Sequence, residues 1–130
     1  MLMLPAMNAH HAVVWLDHIE AKVFKFTGDA VGEIDVHAKP HAFLHNRNAV
    51  SGRREENAPY YASVIEALSD VAEFLVLGPS TAKLEFVKHV HRTHPEMEPR
   101  LIGLETVDHP TDGQIVAYAK KYFVKADRMR

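Results

Sequence analysis

The chain contains no cysteine, which excludes disulfides, zinc ribbons and thiol nucleophiles. It also has little net charge: 15 Lys and Arg against 17 Asp and Glu leave −2 with histidine neutral. That removes any global attraction to nucleic acid or anionic membrane, so such binding needs a local patch. No apolar stretch approaches the ~20 residues that span a bilayer, and no membrane partner is expected. The opening Met1-Leu2-Met3-Leu4-Pro5-Ala6-Met7 is apolar but short and lacks a basic n-region, so it does not read as a signal peptide. A cytoplasmic protein is the expectation. What is present is ordinary for a globular chain: 130 residues, 47% hydrophobic and 25% charged. A chain of this size reads as one domain, residues 1–130, with a real core.

The order of the patterns carries the fold. Ala12-Val13-Val14-Trp15-Leu16 is a compact apolar run, as in a strand buried on both faces. Asp17-His18-Ile19-Glu20 reads as a turn, and Ala21 to Phe26 as a second strand. Glu33-Ile34-Asp35-Val36-His37 alternates polar and apolar, which suits an edge strand with one wet side. From Ala38 to Asn57 no period is sustained, and Pro40, Asn46, Asn48, Ser51 and Gly52 are loop residues. A long flexible basic loop at about 38–57 is therefore expected.

Helix–strand alternation follows. Asn57 can cap a helix whose apolar face is Tyr61, Val64, Ile65 and Leu68. Phe74-Leu75-Val76-Leu77 is the continuous run of a central parallel strand. Ser80 is the expected cap of a second helix lined by Leu84, Phe86, Val87 and Val90, fading near His94-Pro95. Leu101 to Val107 is a fifth strand. Thr111-Asp112-Gly113-Gln114 fits a capping box for a third helix that buries Ile115, Val116, Ala119, Tyr122 and Phe123 and frays from Val124. The string is β-β-β-α-β-α-β-α. The right-handed crossover rule makes strands one, four and five a parallel core. The fold class is α/β: a three-layer ribonuclease H-like arrangement, with helices on both faces of a five-stranded mixed sheet.

Val76-Leu77-Gly78-Pro79 with Lys83 and Phe86 resembles a strand-to-helix segment of bacterial proteins related to the middle domain of archaeal and eukaryotic peptide-chain release factors and Pelota. Val13-Val14-Trp15-Leu16-Asp17 and Glu20-Ala21-Lys22-Val23-Phe24 resemble that domain's first two strands, and Glu105 to Gln114 its last strand-to-helix junction. The resemblance runs from about His11 to Phe123. It implies a translation-associated protein that binds the ribosome or structured RNA. Release factors carry a Gly-Gly-Gln tripeptide in the loop after the third strand. The corresponding loop here, Lys39 to Asn57, has Gly52 as its only glycine, and the chain's sole glutamine is Gln114. Peptide-release chemistry is therefore not carried over.

Lys39, Arg47, Arg53 and Arg54 lie in the loop without an intervening carboxylate. Concentrated cations of this kind bind phosphates by releasing counterions, and Lys83 near Gly78-Pro79-Ser80 supports them. The bland alternative is a solvated loop balanced by Glu55 and Glu56. His37, His41 and His45 are spaced by four, as metal ligands on a helix would be, but Pro40 interrupts them. His91 and His94, three apart, can share a helix face. Scattered surface histidines are the simpler reading of a count of ten, so no metal or cofactor is expected. A nuclease of this fold needs carboxylates that converge on metal ions. Asp17, Glu66, Glu105 and Asp108 offer only an incomplete set. The first functional reading is a non-enzymatic binding module for the ribosome or RNA. The second is a metal-dependent nuclease or hydrolase using Asp17. The third is a protein-interaction module that dimerises through its third strand.

Overall fold

The computed structural model describes residues 9–39 and 49–129. It shows the expected three-layer α/β architecture. Strands β1 (Ala9–Leu16), β2 (Glu20–Thr27) and β3 (Ala30–His37) come first. Helix α1 (Ala49–Ala67), strand β4 (Val71–Gly78) and helix α2 (Ala82–Thr93) follow. A 3₁₀ helix (Pro95–Arg100), strand β5 (Leu101–Thr106) and helix α3 (Asp112–Arg128) complete the order. The sheet runs β3-β2-β1-β4-β5. β1 is antiparallel to β2 and parallel to β4, β2 is antiparallel to β3, and β4 is parallel to β5.

The period of two along each strand distributes the core between two helical layers. Ala12, Val14 and Leu16 of β1, Ala21 and Val23 of β2, and Phe74 and Val76 of β4 face α1 and α2, where Tyr61, Val64, Leu68, Phe86 and Val90 meet them. The alternate residues Val13, Trp15, Phe24, Phe26, Leu75 and Leu77 face α3, against Ile115, Ala119 and Phe123. That double burial is why β1 and β4 read as continuous apolar runs. Phe86 is completely buried, and truncating it to alanine costs roughly 3–5 kcal/mol. The same parity sends the two lysines of β2 to opposite faces. Lys22 Nζ donates to Asp112 Oδ1 at the start of α3, at 2.9 Å, and Lys25 Nζ donates to Asp70 Oδ1 just after α1, at 2.7 Å.

Several local expectations need correction. Helix α1 begins at Ala49, not Asn57, so Arg53 and Arg54 lie on helical backbone rather than in a loop. Arg47, with the rest of 40–48, lies outside the described residues. The N-cap of α2 is Thr81 rather than Ser80. Leu84 is exposed, because the buried stripe of α2 runs through Ala82, Lys83, Phe86, His89 and Val90. Helix α3 continues past Val124 to Arg128. Its capping box forms as expected: Gln114 N–H donates to the Thr111 hydroxyl at 3.1 Å, and Thr111 N–H donates to Gln114 Oε1 at 2.9 Å. β3 is the expected edge strand, but its apolar side is also largely open. Val31 and Ile34 are exposed, and Val36 alone of its residues packs against the core.

Candidate functional site

In open α/β sheets, ligands bind beyond the carboxyl ends of the parallel strands. Here β1, β4 and β5 end on one edge at Leu16, Gly78 and Thr106. β3 ends on the same edge, where His37 pairs with Glu20. Ala38 N–H donates to the Ile19 carbonyl at 2.7 Å, so the segment that follows departs from this edge. Lys39, the first of the expected cations, is exposed there.

The turn between β1 and β2 is organised by Asp17. Its Oδ1 accepts from the backbone N–H groups of Ile19 and Glu20 at 2.8 and 2.9 Å, the side-chain-to-backbone closure that makes aspartate a turn residue. Its backbone carbonyl accepts from the Tyr60 hydroxyl at 2.9 Å. Burial, then the Asp17 charge, pushes the Tyr60 phenol well above its usual range, so it remains a donor. His109 Nε2 approaches Asp17 Oδ2 at 3.9 Å, its Nδ1 lies 3.0 Å from Asp108 Oδ1, and its ring sits 5.2 Å from that of Trp15. Beside this group, Glu85 accepts from the Tyr61 hydroxyl at 2.9 Å and lies 3.5 Å from His18 Nε2. Burial and that carboxylate hold the Tyr61 phenol in its protonated form. His37 Nε2 is 3.5 Å from Glu20 Oε1.

Histidine–carboxylate pairs therefore line the described part of the edge. It is not a basic patch by itself: of the expected cations only Lys39 is described there, while Arg53 and Arg54 lie on α1 and Arg47 lies outside the described residues. Lys83 is placed otherwise than a free phosphate contact. It is 7% exposed, and its Nζ donates to the Ser80 carbonyl at 2.7 Å. Its aliphatic stem packs inward while the ammonium bonds the strand-to-helix turn. Next to His109 lies a cleft of about 440 Å³, lined by Leu77, Val107, Pro110, Ile115 and Tyr118 among others. Tyr118 donates to Glu105, and that bond, with a smaller effect of burial, pushes the Tyr118 phenol up to about 12.

Among the described residues, Asp17, Glu66, Glu105 and Asp108 form no group of three donors that could share one ion, and Glu105 is engaged by Tyr118. His91 and His94 take separate partners, Glu98 at 2.7 Å and the Thr93 hydroxyl at 2.9 Å. His41 and His45 lie outside the described residues. The roles of His109 and His18 are not legible from spacing. Each meets a carboxylate from another element, brought there by the sheet order.

No protein-family model matches the sequence, and no curated protein matches it. Solved structures do. Pelota from Archaeoglobus fulgidus superposes with a TM-score of 0.61 at 16% identity, over 88% of this chain and 32% of its own. Pelota from Thermoplasma acidophilum gives 0.55 at 18%, over 84% and 31%. The archaeal translation termination factor aRF1 gives 0.54 at 15%, over 84% and 32%. The sheet and helices are those of the Pelota and release-factor fold. The expected resemblance thus holds at the level of fold, and this chain spans about a third of the length of each of these proteins.

Proposed function

We propose that the protein is a translation-associated factor that binds the ribosome or structured RNA without releasing peptides. The observation that carries the reading is the shared fold, which superposes on a translation termination factor over 84% of the chain. Two features of the chain support the finer statement. Gln114, its only glutamine, closes the capping box of α3 and sits in no Gly-Gly-Gln. Lys39 is exposed at the carboxyl edge, the part of such a sheet where ligands gather, and Arg47, Arg53 and Arg54 follow it in sequence. Lys83 contributes by holding the Gly78-Pro79-Ser80 turn, and contacts phosphate only if it leaves the Ser80 carbonyl.

Co-sedimentation of the full chain with ribosomes at increasing salt tests this. Binding that weakens steeply with ionic strength and disappears on replacing Arg47, Arg53 and Arg54 by alanine supports the proposal. Unchanged co-sedimentation of that variant rejects it. The open β3 edge, with Val31 and Ile34 exposed, is the surface through which two copies would pair. Light scattering over a concentration series reads that separately.

A further inference from the structure

The opposite, amino-terminal end of the sheet holds a second cluster, made by the register of β1 against β4. His11 is the cross-strand partner of Glu73. His11 Nε2 is buried and lies at ion-pair distance, 3.3 Å, from Glu73 Oε1. The ring of His10 meets that of His11 edge-on, with centroids 4.4 Å apart. Consecutive strand residues normally point to opposite faces. His10 nonetheless lies beside His11, at a point where β1 is paired with β4 but not with β2. One donor atom from each of His10, His11 and Glu73 lies within 4.8 Å of the others. Phe123 of α3 covers the His11 ring at 4.2 Å, so the site has an apolar wall on one side and an exposed histidine on the other.

We propose that His10, His11 and Glu73 bind a divalent first-row transition metal of the zinc class. Zinc takes nitrogen and oxygen donors at about 2.0–2.2 Å in a tetrahedron. Two such donors then lie about 3.3 Å from each other, which is the His11–Glu73 separation. Two imidazoles and a carboxylate suit Zn²⁺ and its neighbours in the series rather than Mg²⁺ or Ca²⁺, and three protein ligands leave one position for water. The groups facing His11 are His10, Glu73 and, from α3, Asp127. The two carboxylates favour a cation there. The site is remote from Asp17 and Lys39, so it stands or falls independently of the RNA reading.

Zn²⁺ titration of the full chain against a chromophoric chelator tests the site, with Co²⁺ and its visible spectrum as a geometric check. The wild type is expected to take up one zinc that is sensitive to these residues. His10→Ala and Glu73→Gln should each weaken it by roughly tenfold or more, since even loss of an outer-shell partner costs tenfold. His91→Ala should leave it unchanged. His10 is exposed and outside the core clusters, so its variant decides the matter if Glu73→Gln fails to fold by circular dichroism. No zinc uptake by the wild type, or uptake of equal affinity in the His10→Ala variant, overturns the proposal.

Discussion

The indole Nε1–H of Trp15 donates to the backbone carbonyl of Asp108 at 2.9 Å, joining the end of β1 to the β5–α3 junction across 93 positions of sequence. The bond holds the residue before His109 in place, while the Trp15 ring packs against the His109 imidazole. Trp15→Phe is expected to lower unfolding stability by about 1–3 kcal/mol, from the missing hydrogen bond and the smaller ring. A urea melt followed by circular dichroism measures it. A midpoint equal to that of the wild type would show that the bond does not contribute.

Gly78 and Gly113 are expected to behave oppositely. A Cβ on Gly78 would collide with the backbone carbonyl of Leu16, which no rotamer change relieves. Gly78→Ala should cost roughly 3 kcal/mol or more. Nothing lies near a Cβ placed on Gly113 in the first turn of α3, so Gly113→Ala should stabilise by about 0.4–1 kcal/mol. Thermal melts of the two variants check the signs.

Stability should fall on mild acidification. His11 is lowered by burial and His10, and His89 by burial, then Arg92 and His94. Below the unfolded imidazole value of about 6.5, the unfolded chain binds more protons than the folded one. The stability these groups contribute is thus complete above that value and lost as pH drops beneath it. Urea midpoints at pH 7.5 and 5.5 measure the loss, and His89→Gln should flatten the difference.

If the cations of the 38–57 segment neutralise phosphates, they set the salt dependence of binding. Replacing Lys39, Arg47, Arg53 and Arg54 together by alanine should reduce the slope of log affinity against log salt by about 0.7–0.9 for each phosphate no longer neutralised. Filter binding to ribosomal RNA at several salt concentrations reads the slope. An unaltered slope would place the phosphate-binding groups elsewhere.

The legible parts of the fold are those where local pattern and tertiary burial agree. Phe74 to Leu77 reads as an interior strand because both of its faces are covered, and Thr111 with Gln114 reads as a cap because both bonds are local. The first half of α1 is not legible. Residues 49–56 lack an apolar period and are helical by continuation from the Tyr60–Leu68 turns, since propagation is easier than nucleation. On α2 the inward stripe includes Lys83 and His89, polar residues that a hydrophobic pattern assigns to solvent, which is why the exposed Leu84 reads as core. Both histidine sites depend on pairs far apart in sequence. Glu73 meets His11 only through strand register, and no spacing rule contains that.

The bare third strand gives the molecule a sacrificial seam. Beyond β2, its residues are bound to the core chiefly through Val36, and the bond from Ala38 to Ile19 closes its far end. Tension on the chain at Lys39 would fall first on that bond and then on the His37–Glu20 pair, where the β2–β3 ladder ends. The remaining four strands, β2, β1, β4 and β5, keep their pairings without it.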